Sequence, residues 1–283
     1  MQTVTTLGVL RKAVDELRAG GGTVALVPTM GALHEGHLTL VREAKSRADH
    51  VVASIFVNPR QFGPNEDFGT YPRQLARDSE LLAAEGVAVL WAPPLEEAYP
   101  EGYATNVSVA GVSEGLCGSD RPGHFDGVAT VVLKLFNQVR PDMAFFGEKD
   151  WQQLAVIRRM ARDLDLTQPC VAAIHGVPIV READGLAMSS RNAYLSAEQR
   201  AAAAALPAAM RDAVAAIRAG APVGLMLGSL HDRLVVSGFD SVDYAEVRDG
   251  DGLSPLDIPT ANARLFVAAR IGETRLIDNM AIS

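Results

Sequence analysis

Two histidines lie three residues apart in the segment MGALHEGH at 30–37, directly after the apolar run at 23–27. A buried strand that leads through a Gly-containing turn into a helix is a typical anion site, because the first N–H groups of a helix lack partners. If the segment turns helically, the rings of His34 and His37 project to the same side. Two imidazoles facing a polyphosphate can share the charge that develops as a phosphate bond breaks. The spacing therefore predicts a phosphate site, with Gly36 preceding a helix that His37 opens.

Two other interpretations of the histidine pair stay open from spacing alone. The first is a metal site, although the i, i+3 spacing differs from the HExxH zinc motif and no third ligand cluster is evident in the sequence. The second is a pair of structural histidines that cap a helix and bind nothing.

Polar side chains of the kind that recognise substrates follow two further apolar runs. Asn58 and Gln61, after the run at 51–57, offer uncharged donors and acceptors that suit a substrate with hydroxyl and carboxylate groups. Lys149, after the run at 142–146, can pair with a phosphate. Gln152 and Gln153 are predicted to face the same edge from the first turn of the next helix.

A fourth polar segment, MSSRN at 188–192, offers two hydroxyls and a guanidinium that could close over a triphosphate. Each polar segment by itself also fits a surface turn or a solvated lysine. The carboxyl ends of parallel strands meet at one edge of a sheet, which favours a shared ligand site over separate coincidences.

Predicted strands and helices alternate along the part of the chain that carries these residues. Apolar runs at 23–27, 51–57, 87–92 and 142–146 read as strands, and the segments 38–48, 73–86 and 151–164 have helical spacing. A further helix is expected through Val131 and Phe136. This alternation predicts βαβ units and a parallel sheet covered on both faces.

A second, smaller unit is expected after the first. It contains predicted helices at 197–219 and 223–236 and strands near 241–247, 264–270 and 274–278, the last two joined as a hairpin around 271–273. The predicted domains are 1–179 and 180–283.

Composition narrows the class of protein. The 283 residues are 48% hydrophobic, enough for a sizeable core, and no run approaches the about 20 uncharged apolar residues of a membrane span. Cys117 and Cys170 lack metal-binding or disulfide-framework spacing, so a cytoplasmic protein is expected. The net charge of −8, with scattered Lys and Arg, argues against a nucleic-acid surface.

Five motifs in this order and spacing, PTMGALHEGH, IFVNPRQF, RPGHFDGV, FFGEKDWQQ and GLAMSSRNAYL, resemble the pantoate–β-alanine ligase family. The resemblance implies an α/β fold with a Rossmann-type N-terminal domain and a smaller α+β C-terminal lid domain, usually in a homodimer. It also implies a reaction: (R)-pantoate and β-alanine are condensed with ATP and Mg²⁺ to pantothenate, the precursor of coenzyme A. A pantoyl adenylate is the intermediate, and AMP and diphosphate are released.

The resemblance also implies roles for particular residues. His34, His37 and Lys149 match catalytic positions, and Gln61, Gln153 and Asn58 match or support substrate-binding positions. The family's proton-donor role for His37 fits the chemistry less well than stabilisation of charge. The residues that match ATP-binding positions are Met30, Gly31, Ala32, Leu33, His34, Glu35, Gly36, His37, Gly147, Glu148, Lys149, Asp150, Val180, Met188, Ser189, Ser190 and Arg191.

Two further sets of residues are less clear. For Mg²⁺, which keeps several waters and few protein ligands, the candidates are ATP oxygens, waters and Asp78. Arg121 and His124 resemble family residues near the site, but an Arg-Pro turn with a structural histidine explains them equally well. The competing functions are a simple adenylyltransferase acting on a phosphorylated acceptor, and an ATP-binding regulator without catalysis.

Overall fold

A computed structural model describes residues 1–64 and 66–282 of the chain. The strands in this part of the chain are β1 (Gln2–Val4), β2 (Val24–Thr29), β3 (His50–Ile55), β4 (Val89–Trp91), β5 (Met143–Gly147), β6 (Ile174–Val177), β7 (Ser241–Asp249), β8 (Ala263–Ile271) and β9 (Thr274–Ala281). The helices are α1 (Leu7–Arg18), α2 (Glu35–Lys45), α3 (Leu75–Ala84), α4 (Leu95–Ala98), α5 (Leu116–Asp120), α6 (His124–Val139), α7 (Trp151–Asp163), α8 (Ala197–Ala203), α9 (Ala205–Arg218) and α10 (Val223–Val236).

The first six strands form one parallel sheet in the order β1-β4-β3-β2-β5-β6. From β2 the chain moves outward to β3 and β4, and then returns to β5 on the other side of β2. This reversal makes the gap between β2 and β5 the topological switch point, outside which open α/β sheets bind their ligands.

Strand β2 shows why the sheet is buried on both faces. Val24 and Leu26 pack into the core that contains Phe136 of α6, while Ala25 and Val27 pack into the core that contains Val41 of α2. Successive side chains of a strand point to opposite faces, so a strand between two helical layers must be apolar throughout.

The C-terminal unit is a three-stranded antiparallel sheet, β7-β8-β9, with its own core shared with α9 and α10. The predicted hairpin is confirmed: β8 and β9 pair from Arg264↔Ala281 to Ile271↔Thr274, and Gly272 takes a φ of 54° in the turn. The domain boundary at 179–180 stays a prediction. Among the described residues no helix is long and apolar enough to cross a membrane.

Several predicted elements differ from the structure. The short edge strands β1 and β6 are absent from the prediction, and β6 includes His175 and Gly176, which break its apolar pattern. The helix expected at 197–219 is divided into α8 and α9 at Ala204. Helix α2 begins at Glu35, two residues before His37, and His34 is its N-cap.

Candidate active site

The loop between β2 and α2 is held by a buried carboxylate. Asp78 of α3 is 1% exposed; its Oδ2 accepts a hydrogen bond from the Ala32 N–H at 2.8 Å, and its Oδ1 accepts one from the Leu33 N–H at 2.9 Å. The loop needs this support because Gly31 and Ala32 both have positive φ, which is unfavourable for an alanine. Asp78 therefore positions the loop.

Both oxygens of Asp78 accept backbone N–H groups, which gives this carboxylate a structural role, and its assignment as a magnesium ligand stays a prediction. No group of three or more His, Cys, Asp or Glu in residues 1–64 and 66–282 is arranged to hold a metal ion.

The two histidines form a reciprocal cap at the start of α2. His34 Nδ1 accepts from the Gly36 N–H at 3.1 Å, and His37 Nδ1 accepts from the His34 N–H at 3.3 Å. Their ring centroids are 4.1 Å apart, so the predicted side-by-side placement is confirmed. A Cβ on Gly36 would lie 2.9 Å from His34 Cε1, which explains why a glycine separates them.

The cap decides the protonation of both rings. A nitrogen that accepts a hydrogen bond carries no proton, so in each neutral ring the proton resides on Nε2. Burial lowers the pKa of His34 to about 4, with a smaller contribution from the Lys149 charge. Burial also lowers the pKa of His37 to about 3, with a smaller contribution from the neighbouring His34. At neutral pH both histidines are therefore uncharged Nε2–H donors.

One cavity, here called the central cavity, joins residues from all four predicted segments. Its lining includes many of the predicted side chains: Met30, His34, Gly36, His37, Gln61, Gly147, Lys149, Asp150, Gln153, Val180, Met188, Ser189, Ser190 and Arg191. The remaining predicted residues, Gly31, Ala32, Leu33, Glu35, Asn58, Asp78 and Glu148, are not part of this lining.

Asn58 lies behind Gln61. It is 1% exposed, and its Nδ2 donates to Gln61 Oε1 at 3.1 Å and to the Gly127 carbonyl at 3.0 Å, while its Oδ1 accepts from the Tyr99 hydroxyl at 2.9 Å. Gln61 Oε1 therefore already accepts a hydrogen bond from within the protein. Gln61 Nε2 donates to Met30 Sδ at 3.0 Å, but a thioether sulfur is only a weak acceptor. Asn58 therefore orients Gln61, whose amide N–H groups are the part available to a ligand.

The two glutamines at the start of α7 have different positions. Gln153 lines the central cavity. Gln152 is buried, and its side chain bonds to the backbone of α5 and of the segment before it: it accepts from the Cys117 N–H and donates to the carbonyls of Val112 and Gly115. The expectation that both would face the site is wrong for Gln152, because its amide completes the backbone hydrogen bonds of this buried segment.

The MSSRN segment contacts Asp67 and Tyr71, which lie outside the five motifs. Arg191 forms a bidentate ion pair with Asp67, with Nε–Oδ2 at 3.0 Å and Nη2–Oδ1 at 2.7 Å. The Ser190 hydroxyl lies 3.3 Å from the hydroxyl of Tyr71, which also lines the central cavity. Neither Asp67 nor Tyr71 carries a signal in sequence that separates it from a surface acid or a core aromatic.

The chain matches a known protein family along almost its whole length. The family model described as Pantoate-beta-alanine ligase matches residues 2–281. The chain belongs to the pantoate–β-alanine ligase family. It is therefore an enzyme of that class, a ligase of pantoate and β-alanine, as its motifs predicted.

Relatives support the assignment over the whole chain. The chain is 67% identical to the pantothenate synthetase of Novosphingobium aromaticivorans over 283 residues, covering all of this chain and 99% of that protein. It is 61% identical to the pantothenate synthetase of Sphingopyxis alaskensis over 282 residues, covering 100% of both.

Solved structures confirm the predicted fold class. The crystal structure of pantothenate synthetase from Thermus thermophilus has a TM-score of 0.93 and 48% identity, over 100% of this chain and 99% of that one. Pantoate–β-alanine ligase from Francisella tularensis, complexed with beta-gamma ATP and β-alanine, has a TM-score of 0.83 and 33% identity, over 100% and 98% of the two chains.

Proposed function

We propose that the central cavity binds ATP at the start of α2 and pantoate beside Gln61 and Gln153, and that the ligation proceeds through pantoyl adenylate. The observation that carries this proposal is the fixed pair of Nε2–H donors at a helix N-terminus, in the same cavity as Lys149 and the two glutamines. The Francisella relative, whose structure contains an ATP ligand and β-alanine, supports the same substrates here.

The two half-reactions follow from the chemistry of a carboxylate. A carboxylate is a poor acyl donor, so a carboxylate oxygen of pantoate attacks the α-phosphorus of ATP, and the bond from that phosphorus to the pyrophosphate oxygen breaks. The ammonium group of β-alanine loses one proton to become an amine, which attacks the pantoyl carbonyl carbon, and the attacking nitrogen releases a second proton to solvent as the amide forms. The carbon–oxygen bond to AMP breaks, and AMP leaves with one oxygen from pantoate.

In this proposal the histidines stabilise charge and transfer no proton. Their low pKa values keep both rings neutral at neutral pH. In each ring Nδ1 accepts a backbone N–H, and the single proton is on Nε2, at the opposite side of the ring. Lys149 supplies a positive charge from the corner after β5, and the α2 N-terminus adds its partial positive charge. Pyrophosphate departs as an anion, so the chemistry requires donors more than an acid.

Magnesium fits this site as part of the nucleotide complex. The described residues contain no acidic cage, and Mg²⁺ bound through phosphates and waters needs few protein ligands. Bound in this way it would neutralise charge on the departing pyrophosphate. The cytoplasmic location and the homodimer stay proposals that rest on the family resemblance, and the location also on the two free cysteines.

An oxygen-labelling experiment tests the route. The protein is incubated with ATP, β-alanine and pantoate carrying ¹⁸O in its carboxylate, and the nucleotide product is examined by mass spectrometry. We expect pantothenate together with AMP that has gained one ¹⁸O. Formation of ADP and phosphate would indicate an acyl phosphate route, and failure to form any amide would overturn the ligase mechanism for this chain.

A further inference from the structure

The motif RPGHFDG at 121–127 has no role in the mechanism above, although it lies against the turn that carries Gln61. Its residues begin α6 and lie just before it, while Gln61 ends the 3₁₀ turn Pro59–Gln61 after β3. Helix α6 and this turn are in close contact, and both Arg121 and His124 line the central cavity.

Two side chains of the motif converge on one backbone atom. His124 Nδ1 lies 2.8 Å from the carbonyl oxygen of Gln61, and Arg121 Nη2 donates to the same oxygen at 3.1 Å. A carbonyl oxygen only accepts, so the His124 proton is on Nδ1. His124 Nε2 is then an acceptor, which matches its 3.1 Å distance to Arg121 Nη1.

The arrangement requires a neutral His124. A second proton on Nε2 would face the Arg121 guanidinium. Burial, and to a smaller extent the Arg121 charge, also lowers the pKa of His124 to about 4. Arg121 is itself fixed by Glu66, through Nε–Oε1 at 2.8 Å and Nη2–Oε2 at 2.5 Å. The direction of each hydrogen bond in this group is therefore defined.

Gly127, in the first turn of α6, supports the side chain of Gln61 through Asn58. The Gly127 carbonyl accepts from Asn58 Nδ2, and Asn58 Nδ2 also donates to Gln61 Oε1. A Cβ on Gly127 would lie 2.2 Å from the Arg60 carbonyl oxygen, so the helix and the turn approach as closely as they do because residue 127 is a glycine.

We propose that Arg121, His124 and Gly127 are positioning residues for the first half-reaction: they fix the backbone and the amide of Gln61 so that its N–H groups meet pantoate. The hydrogen bonds to the Gln61 carbonyl fix where the residue lies, and Asn58, held by Gly127, fixes which end of the amide faces the cavity. The proposal rests on the proposed contact between Gln61 and pantoate.

Isosteric substitutions of His124 test the proposal. In His124→Asn the amide nitrogen can occupy the place of Nδ1 and keep the donor to the Gln61 carbonyl, whereas His124→Gln places its amide near Nε2 and loses that donor. Loss of one hydrogen bond corresponds to roughly a 5–10-fold change. We expect His124→Gln to raise the KM for pantoate by about this factor, with the KM for ATP within about twofold, and His124→Asn to stay within about threefold.

The assay is pyrophosphate release from ATP and pantoate without β-alanine, with His231→Gln on the exposed face of α10 as the control. In a Gln61→Ala background, His124→Gln should cause no further rise in the pantoate KM, because the side chain that it positions is gone. General damage to the fold would instead add to the effect of Gln61→Ala and would also raise the KM for ATP.

The outcomes separate the two proposals. An unchanged pantoate KM in Gln61→Ala would overturn the contact between Gln61 and pantoate. A raised pantoate KM in Gln61→Ala together with equal values for His124→Gln and His124→Asn would overturn the positioning role alone. If His124→Gln does not fold, Arg121→Lys applies the same test, since it keeps a charge near Glu66 but loses the directed donor to the Gln61 carbonyl.

Discussion

Replacement of Asp78 by alanine should reduce stability and catalysis together. The substitution leaves the N–H groups of Ala32 and Leu33 without their acceptor in a site where Asp78 is 1% exposed. Each unsatisfied buried donor costs about 1–2 kcal/mol, so the free energy of unfolding should fall by about 2–4 kcal/mol. Asp78→Asn keeps one acceptor but turns an amide N–H group towards a backbone N–H, and should be intermediate.

The catalytic effect follows from the position of the released loop. Ala32 and Leu33 immediately precede His34, the N-cap of α2, and displacement of a reacting group by about 1 Å can reduce a rate about 100-fold. We expect single-turnover adenylation by Asp78→Ala to be roughly 10–100 times slower than that of the unchanged protein. Urea unfolding and quenched-flow measurement of pyrophosphate release provide the two values.

Asp49 offers a matched control. It also accepts a backbone N–H, that of Thr23 at 2.8 Å, but it is exposed, directly precedes β3 and is not part of the central-cavity lining. Asp49→Ala should therefore lose less stability than Asp78→Ala and should keep its adenylation rate. If Asp78→Ala kept normal stability and excess Mg²⁺ restored its rate, the loop-holding role would be refuted in favour of a magnesium ligand.

Three further results are expected. Lys149→Ala should slow adenylation by roughly 10²–10³-fold, as for loss of one stabiliser of transition-state charge, measured in a single turnover. Asp67→Asn should lower the KM for ATP, because the Arg191 guanidinium loses a competing anion 2.7 Å away, measured from initial rates. The free energy of unfolding should fall from pH 7 to pH 5. Over this range the histidines of the unfolded chain, with the usual pKa of 6.5, bind protons, whereas His34 and His37 in the folded protein, with pKa values of about 4 and about 3, stay neutral.

Each of these has a control and a contradicting outcome. Lys12→Ala, at an exposed lysine of α1, should leave adenylation unchanged, and normal adenylation by Lys149→Ala would mean that the phosphates lie elsewhere. An unchanged or higher KM for ATP in Asp67→Asn would show that the ion pair does not compete with the nucleotide. For the pH effect, the control variant is His37→Asn, which lacks one titrating ring. Between pH 7 and pH 5 this variant should lose up to about 2 kcal/mol less stability than the unchanged protein. Equal losses in the two proteins would contradict the low pKa of His37.

The large features of the fold follow from local sequence patterns. Apolar runs such as 24–27 predict buried strands because both faces of a parallel sheet are covered, and the alternation with amphipathic segments predicts the βαβ order. The i, i+3 spacing of His34 and His37 predicts neighbouring rings for a helical segment. The rings do lie together, although His34 is the extended N-cap of α2 and the reciprocal cap brings them into contact. The motifs added the family and its reaction.

Roles that depend on contacts between residues far apart in sequence appear only in the folded protein. Asp78 bonds to Leu33 across 45 residues and His124 to Gln61 across 63, and no spacing rule gives such a pairing. For the same reason the sequence does not show that Asn58 donates to the Gln61 amide or that Gln152 bonds to the backbone at Cys117. The protonation of the histidine pair likewise depends on tertiary structure, because burial and the direction of each backbone N–H set it.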